Sequence, residues 1–480
     1  MKTNTLDFDA QALREKILDL AMHGKLVPQD PNDEPASVLL EKIKAEKEQL
    51  IKEKKIKKSK PLAPITDDEK PFDIPDSWEW VRLGDVGLLK NGKTPKKEDT
   101  SSDNIYPYFK VKDMNNNNLY MENVKNWVGE KYSRQVMPKN TIIFPKNGGA
   151  ILTAKKRILS QDSLVDLNTG GLIPYNDLNH KFIFYLFLSL DIKDFVKGSA
   201  VPTINSKKLK ETLVPLPPLE EQSRIAAKIA QLFALLRKVE SSTQQYAKLQ
   251  TLLKSKVLDL AMRGKLVEQD PHDEPASVLL EKIKAEKRKM IKEKEIKKSK
   301  PLPPITDEEK PFDIPDSWEW VRLGNIAKRI TDGTHNPPPN SHEGKQVISA
   351  INIKKGKIDF SLSNRFVSED QFLKEDKRTN IRKGDVLLTI VGSLGNAAVV
   401  DTDKLFTAQR SVAVISSNIL SKFLYYVLIS AMFKTQIFAN AKGTTQKGIY
   451  LSKLINLKLP LPPLAEQNRI VDKIDNLFIY

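Results

Sequence analysis

The sequence predicts an α+β protein made of two mixed α/β domains separated by a long antiparallel two-helix coiled coil, with an internal pseudo-twofold, circular repeat. Three observations support this prediction. Residues 16–84 recur at 256–324 with ten differences over 69 positions. A shorter repeat, P-L-P-P-L-E-E-Q-S-R-I from Pro215, returns as P-L-P-P-L-A-E-Q-N-R-I from Pro460. The segments between these matching frames barely resemble each other, so one scaffold carries two different inserts.

The offsets of the two repeats show where the chain is cut. At an offset of 245 Tyr480 aligns with position 235, and at an offset of 240 Met1 aligns with position 241. Both ends therefore fall within the sequence of one helix, a few positions apart. We expect two near-complete units that form a ring opened inside this helix, with pseudo-twofold symmetry within one chain.

Length and composition limit the class of protein. A chain of 480 residues with 40% hydrophobic and 29% charged residues can bury two or more cores. We find no apolar run near the roughly 18–20 residues that span a bilayer and no signal-peptide core, so cytoplasm is predicted and a membrane partner is not. The absence of cysteine excludes disulfides and thiolate zinc sites, and five scattered histidines do not suggest a metal centre.

The positive charge is concentrated in two places. Of the formal net charge of +17, the runs at 41–60 and 281–300 supply +5 and +6. A basic protein fits a polyanionic partner, but such runs are usually solvated helix faces. Nucleic-acid binding therefore needs further support than net charge.

The segment from Leu219 to Gly264 has the clearest helix pattern. Prolines precede it, Glu220 and Glu221 suit the positive end of its dipole, and Gly264 can stop it. A 3–4 apolar spacing held over five heptads predicts a coiled coil, and the alternative is a long helix lying on a globular core. The seam consists of Ile225, Ile229, Leu232, Leu236, Val239, Tyr246, Leu253, Val257 and Leu260, with the polar pair Thr243 and Gln250 near its middle.

The two chain ends supply the expected partner helix. Their heptad positions match those of the central helix and are Leu13, Ile17, Leu20, Ile470, Ile474 and Leu477. The pseudo-twofold makes this second helix antiparallel to the first. At ~1.5 Å per residue a helix of about 45 residues spans roughly 65–70 Å, which would suit a spacer rod.

The remaining elements follow from shorter signals. D-E-P-A-S predicts helix starts, giving helices at about 36–58 and 276–298, and K-S-K-P-L-x-P-I-T predicts extended linkers. Each W-E-W segment predicts a strand that packs its tryptophans. The inserts, about 85–213 and 325–458, are predicted to be α+β. Their clearest predicted elements are strands at Asn140–Phe144 and Gly384–Val391, each followed by a polar loop, and closing helices at Lys181–Phe195 and Leu420–Phe438.

This architecture resembles the specificity subunit of Type I restriction–modification systems over the whole chain. I-P-D-S-W-E-W-V-R-L-G opens each insert and P-L-P-P-L-x-E-Q-x-R-I closes it, while N-G-K-T-P from Asn91 and D-G-T-H from Asp332 look like motifs of the family's recognition domains. The resemblance implies that 78–214 and 318–459 are target-recognition domains, each of which reads half of a split double-stranded DNA sequence. It implies that the helical regions 1–77, 215–317 and 460–480 hold two methyltransferase subunits, and that translocase/endonuclease subunits join for restriction. S-adenosylmethionine, ATP and Mg would then belong to those partners.

Polar and basic loop residues of the inserts are the candidate DNA contacts. Asn, Gln and Arg suit paired hydrogen bonds to base edges, while Lys mostly positions the backbone. Each is also the kind of residue that is ordinarily a solvated surface group. The candidates are Lys93, Thr94, Lys96, Lys110, Lys112, Lys146, Asn147, Lys155, Lys156 and Arg157 in the first insert, and Thr334, His335, Asn336, Asn352, Lys354, Ser393, Asn396, Gln409 and Arg410 in the second.

Catalytic motifs are weak in this sequence, which predicts a non-catalytic subunit. Asn336-Pro337-Pro338-Pro339 is similar to the N-P-P-aromatic motif of adenine methyltransferases, but proline replaces the aromatic that would stack on a flipped base. No phosphate loop G-x-x-x-x-G-K-[ST] is present. A self-contained nuclease or methyltransferase and a stand-alone coiled-coil DNA-binding adaptor remain the two alternatives.

Overall fold

The structure is a computed structural model that describes residues 8–56, 58, 62–198, 201–296, 298, 300–334, 339–354, 356–443 and 447–478. These residues form two compact units, an N-terminal unit Asp7–Thr243 and a C-terminal unit Gln244–Tyr480. Each unit contains one insert together with the helices and strands of its frame. The division into five regions predicted above differs from this partition into two and stays a prediction.

The N-terminal unit alternates short strands and helices between two frame helices. Its α-helices are α1 (Ala10–Met22), α2 (Ala36–Lys52), α3 (Leu83–Val86), α4 (His180–Ser189), α5 (Ser206–Glu211) and the first part of α6 (Leu219–Met262), which continues past Thr243. Its strands are β1 (Glu79–Arg82), β2 (Gly87–Asn91), β3 (Thr100–Ser101), β4 (Tyr106–Phe109), β5 (Tyr120–Met121), β6 (Asn126–Val128), β7 (Ile142–Pro145), β8 (Arg157–Leu159), β9 (Leu164–Val165), β10 (Thr169–Pro174), β11 (Val196–Lys197), β12 (Thr203–Ile204) and β13 (Leu213–Leu216).

The C-terminal unit repeats this pattern. After α6 its helices are α7 (Ala276–Lys292), α8 (Leu323–Ile326), α9 (Glu369–Thr379), α10 (Ser421–Ile429), α11 (Ala431–Asn440), α12 (Leu451–Leu454) and α13 (Leu464–Phe478). Its strands are β14 (Glu319–Arg322), β15 (Ala327–Asp332), β16 (Lys345–Ile348), β17 (Ile353–Lys354), β18 (Lys357–Ile358), β19 (Phe366–Val367), β20 (Val386–Thr389), β21 (Ala397–Val399), β22 (Phe406–Ala408), β23 (Val412–Ser417) and β24 (Lys458–Leu461).

The motifs that bracket each insert pair with each other. β1 is antiparallel to β13 with Trp80 opposite Pro215, and β14 is antiparallel to β24 with Trp320 opposite Pro460. Proline lacks a backbone N–H, and it is tolerated here because each pair is a two-stranded sheet. The repeated motifs therefore close each insert at its base, which explains why they occur twice at matching positions.

Four strands of the largest sheet have the same order in both units although the sequences differ, and the sheet of the N-terminal unit has β5 as a fifth strand. In the N-terminal unit the order is β2-β10-β7-β8-β5, and in the C-terminal unit it is β15-β23-β20-β21. A second sheet in each unit contains a parallel pair, β4 with β9 and β16 with β22. The two inserts thus share one topology.

Repeated residues occupy repeated places in the two cores. Leu18, Ile43 and Trp78 lie in the core of the N-terminal unit, and their counterparts Leu258, Ile283 and Trp318 lie in that of the C-terminal unit. Both tryptophans are 4% exposed, which confirms that the W-E-W segments pack tryptophan at the start of a strand. At about 25 cal/mol per Å² of apolar surface, such residues are large contributors to the stability of each unit.

Two predicted helix bounds are corrected. α2 and α7 end six residues early, at Lys52 and Lys292, because Lys54 and Lys294 adopt the left-handed conformation with φ of 57° and 60°. The N–H of the following residue then bonds a carbonyl five residues back, from Lys55 to Leu50, which ends the helix.

The predicted helix at Leu420–Phe438 is divided into two helices, α10 and α11, at Ser430. The extended backbone of Ser430 (ψ 152°) breaks the helix, and its hydroxyl accepts from the N–H of Phe433.

The other closing helix is also shorter than predicted. α4 ends at Ser189, and a separate 3₁₀ turn at Ile192–Phe195 follows. The long central helix agrees closely with its prediction, beginning at Leu219 and ending at Met262.

The predicted seam is buried at the two ends of α6 and open in its middle. Ile225 and Ile229 are fully buried and Val257 is 5% exposed, whereas Val239, Tyr246 and Leu253 are 44%, 55% and 57% exposed. At the chain ends Ile470 and Ile474 are fully buried, while Leu13 and Leu477 are 43% and 39% exposed. Ile17, Leu20, Leu232, Leu236 and Leu260 are half-buried.

Candidate nucleic-acid interface

Several loops of the N-terminal unit meet at one edge of its largest sheet. β2 and β7 end where β10 begins, since Asn91 lies opposite Gly170 and Pro145 opposite Thr169. β8 starts beside the end of β7, with Arg157 opposite Ile143. The segments at this edge carry most of the predicted contacts of the first insert. We call them the polar edge of the N-terminal unit: residues 91–96, 110–113, 146–149, 155–157 and 166–169.

The C-terminal unit has the corresponding edge. β15 and β20 end where β23 begins, because Asp332 lies opposite Ala413 and Thr389 opposite Val412. The turn after β16 reaches the same place, where the N–H of Gln409 donates to the carbonyl of Ile348 at 2.8 Å. The polar edge of the C-terminal unit consists of residues 332–334, 349–354, 390–396 and 408–411. The strand order therefore places the predicted contacts of the first insert, and the described ones of the second, on a single edge of each unit.

Each polar edge depends on a glycine where a loop leaves the first strand. A Cβ at Gly92 would lie 2.1 Å from the carbonyl oxygen of Asp166, and one at Gly333 would lie 1.9 Å from that of Ala408. These distances are far below van der Waals contact, so only glycine lets the loop lie against the neighbouring backbone. This close approach gives a physical reason for the glycine of the N-G-K-T-P and D-G-T-H segments.

Buried polar side chains hold the turns of the polar edges in place. In the N-terminal unit Asp113 accepts from the N–H of Lys110 at 2.8 Å, and Asp166 accepts from the N–H of Val111 at 3.2 Å. In the C-terminal unit Asn352 plays the part of Asp113, because its Oδ1 accepts from the N–H of Ser349 at 2.9 Å. Asp113 and Asp166 were missed from the sequence, and the short turn after a buried strand was the signal that could have indicated them.

Most predicted contacts are at least partly exposed on these edges. Exposed side chains are Lys93, Thr94, Lys96, Lys112, Lys354, Ser393 and Arg410. Half-buried side chains are Lys110, Lys146, Asn147, Lys155, Arg157, Asn396 and Gln409. His335 and Asn336, with most of the N-P-P-P segment, lie outside the described residues.

Lys156, predicted as a DNA contact, has an internal role instead. Its side chain is buried, and its Nζ donates to the carbonyls of Phe187 and Leu190 at 2.6 and 2.5 Å. These carbonyls belong to the C-terminal end of α4, where a cation compensates the helix dipole. Burial lowers the pKa of Lys156 to about 8. Lys156 lies in a basic triplet of the sequence, and only tertiary packing distinguishes this buried residue from Lys155 and Arg157.

Two further predicted contacts point into the protein. Asn352 is 1% exposed, and its amide donates to the carbonyl of Asp359 at 2.9 Å, so it fixes a turn and does not present its amide to a ligand. Thr334 is 6% exposed, and its backbone bonds the carbonyl of Ala408 and the N–H of Arg410. Both residues are buried under the polar edge and hold its backbone in place.

The sequence reasoning also missed a hairpin beside each polar edge. In the N-terminal unit β11 and β12 form this hairpin, and Thr203 makes a bridge to Asn147 of the edge. In the C-terminal unit Lys442 pairs with Gly448, which makes a bridge to Val391. The signal was the dipeptide Lys-Gly at 197 and 442, which shares the offset of 245 with the closing motifs.

The basic runs lie away from the polar edges. In α2, Glu46 accepts from the N–H of Asn176, just after β10 ends, and Lys47 pairs with Asp85, just before β2 begins. In α7, Glu286 pairs with Lys328 near the start of β15. β10 runs from Thr169 to Pro174, so at ~3.3 Å per residue roughly 17 Å separates the two edges of its sheet. The helices of the two basic runs, α2 and α7, therefore pack at the opposite edge.

A buried junction joins each insert to its frame. The indole Nε1 of Trp78 donates to Glu221 at 2.8 Å, and Gln29 donates to the other carboxylate oxygen at 2.6 Å. Next along α6, Gln222 accepts from the N–H of Asn179, which caps α4, at 3.0 Å. Burial raises the pKa of Glu221, and the two donors oppose that rise.

The C-terminal unit builds the same junction from the repeated residues. Trp318 donates to Glu466 at 2.8 Å and Gln269 donates to it at 2.5 Å. Gln467 accepts from the N–H of Leu420 at 3.1 Å, at the start of α10. The E-Q dipeptide of each closing motif thus connects the first tryptophan of the opening motif with a helix of the insert.

Neither a membrane-spanning helix nor a metal-binding cluster occurs among the described residues. Within these residues no helix is long and apolar enough to cross a membrane. No group of three or more His, Cys, Asp or Glu side chains that could hold a metal ion occurs in the same part of the chain.

Comparison with known proteins places the chain beside one family. Residues 75–250 and 315–479 match the Type I restriction modification DNA specificity domain. The specificity subunits of the Type I restriction enzymes EcoAI and EcoEI of Escherichia coli are each 31% identical to the chain, over 540 and 548 residues, and each match covers 98% of this chain and 89% of the relative. A chain in a solved structure of a type I R-M system matches with a TM-score of 0.55 at 20% identity, covers 85% of this chain and 91% of its own length, and supports the fold alone.

Proposed function

Because the chain belongs to the family of Type I restriction–modification specificity subunits, we propose that it reads a DNA sequence in two parts, one with each polar edge. The polar edge of the N-terminal unit binds one half-site and that of the C-terminal unit binds the other. The bases between the half-sites are not read. The chain itself catalyses no reaction.

One observation carries this proposal: the same scaffold edge bears different side chains in the two units. Backbone hydrogen bonds identify equivalent positions, since the N–H of Lys93 bonds the carbonyl of Val165 as that of Thr334 bonds Ala408. By the same criterion Asp166 is equivalent to Gln409, because their N–H groups bond Phe109 and Ile348. Asp166 and Gln409, which are buried and half-buried, fix the register, so the next residues, Leu167 and Arg410, are equivalent too, and both are exposed although one is apolar and the other cationic. Equivalent exposed positions with unlike chemistry are what two readers of different base sequences require.

The side chains on the edges divide into two roles. Asn396, Gln409 and Arg410 can each make paired hydrogen bonds with a base edge in the major groove. Asn147 donates one amide hydrogen to the carbonyl of Leu167 at 3.1 Å and, being half-buried, keeps its Oδ1 and second amide hydrogen for a base. Lysines such as Lys93 neutralise phosphates and fix the position of the protein along the duplex. Each base contact of this kind favours the correct base over a wrong one by about 1–3 kcal/mol, so a few of them are enough to recognise a half-site.

We further propose that α6 and the two chain-end helices form the antiparallel pair expected from the heptads. In the N-terminal unit α1 and α6 share one core, and Arg14 pairs with Glu240 at 2.5 Å. In the C-terminal unit the Nζ of Lys254 on α6 lies 5.4 Å from the ring centre of Phe478 on α13. These contacts support pairing at the middle of α6 and towards its C-terminal end, and the exposed seam residues Val239, Tyr246 and Leu253 leave apolar surface for a partner.

The partners follow from the family. The conserved helices are proposed to hold two methyltransferase subunits, and restriction subunits would join the assembly for cleavage. S-adenosylmethionine, ATP and Mg would be bound by these partners. One solved structure of a type I R-M system concerns complex assembly, which supports an assembled state for that protein.

The decisive experiment is methylome sequencing of cells that express the chain with the methyltransferase of its own system. A split methylated motif is expected. Exchanging residues 85–213 for the corresponding insert of a relative should then change one half of the motif and keep the other. A motif that changes in both halves would contradict the assignment of one half-site to each unit.

A second measurement separates the two alternatives considered for this chain. Purified alone with S-adenosylmethionine and Mg, the chain should neither methylate nor cut duplex DNA. Activity of the isolated chain would favour a self-contained enzyme, and specific DNA binding without any associated methyltransferase would favour a stand-alone adaptor.

A further inference from the structure

Two equivalent hairpins carry an exposed lysine beside the polar edges. Lys197 lies opposite Thr203 in the pair of β11 with β12. Lys442 lies opposite Gly448, with reciprocal backbone bonds of 2.8 and 2.9 Å. In both hairpins a glycine with positive φ follows the lysine, Gly198 at +81° and Gly443 at +106°, and turns the chain.

Backbone bonds anchor each hairpin to the loop after the third strand of the sheet order. In the N-terminal unit the N–H of Gly148 bonds the carbonyl of Pro202 at 2.8 Å, and that of Ile204 bonds Lys146 at 2.9 Å. The hairpin is therefore fixed against the polar edge, and its position does not depend on a flexible side chain.

The C-terminal hairpin is anchored in the same way. The N–H of Gly392 bonds the carbonyl of Lys447 at 3.0 Å, and that of Ile449 bonds Ile390 at 2.9 Å. Ile204 and Ile449 are both buried, which holds the base of each hairpin in its core. The two lysines thus occupy the same place in the two scaffolds.

The ammonium groups at both positions face solvent. Lys197 and Lys442 are exposed, and within the described part of the chain neither forms an ion pair with a carboxylate. Lysine is a point charge on a flexible stem and suits phosphate better than a base edge. An exposed, positioned cation beside a proposed base-reading edge has the chemistry of a phosphate contact.

The Lys-Gly dipeptide that both hairpins share indicates which part of the DNA they bind. Equivalent exposed positions on the polar edges differ, as Leu167 differs from Arg410, whereas Lys-Gly is kept at both 197 and 442. Two half-sites of different base sequence have the sugar–phosphate backbone in common. A residue shared by both readers therefore matches the part of the ligand that both half-sites share.

We propose that Lys197 and Lys442 are equivalent phosphate contacts that fix the register of each unit on its half-site. This inference rests on the proposed function and adds to it a pair of positioning residues outside the loops predicted from the sequence. Lys197 acts at the half-site of the N-terminal unit and Lys442 at that of the C-terminal unit.

The test compares Lys197→Ala and Lys442→Ala with Lys181→Ala in the complex of the full chain with its methyltransferase. Lys181 is an exposed lysine at the start of α4, near the opposite edge of the sheet, and serves as the matched control. Binding is measured at a series of salt concentrations on a duplex with the methylated motif and on one with both half-sites scrambled. The methylated motif is sequenced for each variant.

Each hairpin substitution should lower the slope of log affinity against log salt by about 0.9, the value for one phosphate contact. Affinity should fall by a similar factor on both duplexes, and the methylated motif should stay unchanged. Lys197→Arg and Lys442→Arg should restore the slope, which a purely structural defect would not predict. The double variant should lose about twice the slope of either single variant.

Three results would overturn the inference. Variants whose slope equals that of Lys181→Ala would show that no phosphate is contacted, and a changed base in the methylated motif would show a base contact instead. A wild-type complex that does not prefer its motif would remove the proposed function and this inference together. A wild type that does prefer it, with hairpin variants like the control, would remove this inference alone.

Discussion

The frames and the inserts of this molecule differ in what is kept between the two copies. In the frames identical residues make identical contacts: Trp78 and Trp318 each donate to a buried glutamate at 2.8 Å, and Arg224 and Arg469 pair with Asp33 and Asp273 at 2.5 and 2.6 Å. In the inserts a common strand order carries unlike side chains on its polar edge. The difference shows that a shared strand order, a close-packed glycine and a buried turn acceptor are enough to position a polar edge, while its exposed side chains are free to differ.

The buried turns show how this freedom is achieved. Asp113 in one unit and Asn352 in the other accept a backbone N–H across the same kind of turn. Either residue can supply the accepting oxygen, so the geometry of the edge is kept without identity of sequence. The outward residues beside them are then not needed for folding and can be chosen for the ligand.

The largest expected effect comes from adding a methyl group where a loop meets the neighbouring strand. Gly92→Ala should weaken binding of the first half-site by roughly tenfold to a hundredfold, and Gly333→Ala should do so for the second, because the loop must move off its strand and its base contacts of about 1–3 kcal/mol each are lost. Binding to duplexes with one half-site scrambled measures each effect separately.

Gly129→Ala is the matched control for Gly92→Ala, since Gly129 lies in the same unit outside the polar edge, has a negative φ of −88°, and a Cβ there would meet the side chain of Asn104 at an ordinary 3.4 Å. It should leave both half-sites unaffected. Equal loss on both half-sites from Gly92→Ala alone would mean that the two edges do not read independently.

The next effect separates Lys156 from the basic residues beside it. Its folded pKa of about 8 lies below its ordinary value of 10.5, so the native state binds fewer protons than the unfolded state between these values. Stability should therefore rise as pH rises through this window, by roughly 3 kcal/mol at most. Lys156→Met should remove this rise, as shown by urea unfolding of both proteins below pH 8 and near pH 10.5.

Lys181→Met removes an exposed lysine from α4 and should keep the rise that wild type shows. The salt dependence of DNA binding should be the same for Lys156→Met and wild type, because a buried ammonium cannot neutralise phosphate. If Lys156→Met lowered the slope of log affinity against log salt, Lys156 would be a DNA contact after all.

A smaller effect tests whether the frames are energetically as well as geometrically equivalent. Trp78→Phe and Trp318→Phe each leave a buried glutamate without its indole donor, which should cost about 1–3 kcal/mol of stability. The two losses should be similar because the junctions share every donor and acceptor. Hydrogen exchange measures the unfolding free energy of each unit separately. If only one of the two substitutions lowered the unfolding free energy of its unit, the two junctions would not be equivalent.

Sequence reasoning succeeded where a signal is local or repeated. The start of α6 at Leu219 follows from prolines and acidic residues beside it, and the bracketing motifs follow from direct repetition. The early end of α2 at Lys52 could not be predicted, since a left-handed lysine at position 54 has no sequence signature. The burial of Lys156 depends on helix α4, which is distant in sequence, so it required the tertiary structure. Asn352 is held by a local turn from Ser349 to Asp359, and no sequence pattern shows that this turn faces inward.

The smallest expected effect concerns the basic runs, which contain most of the net charge. Lys52 and Lys58 are exposed, as are their counterparts Lys292 and Lys298, and they belong to the runs whose helices pack at the opposite edge. Their ammonium groups should lie beyond contact distance of a duplex held by the polar edges, and at physiological salt the Debye length of about 8 Å screens most of the remaining attraction.

Substituting Lys52 and Lys58 with Gln should therefore change the salt slope of binding by much less than the value of about 0.9 expected for Lys197→Ala, although twice as many charges are removed. Substituting Lys292 and Lys298 with Gln should behave in the same way. The methylated motif should be identical to that of the wild type. A slope reduced by about 1.8 for either pair would place these lysines on phosphate and would show that the bound duplex extends to the opposite edge.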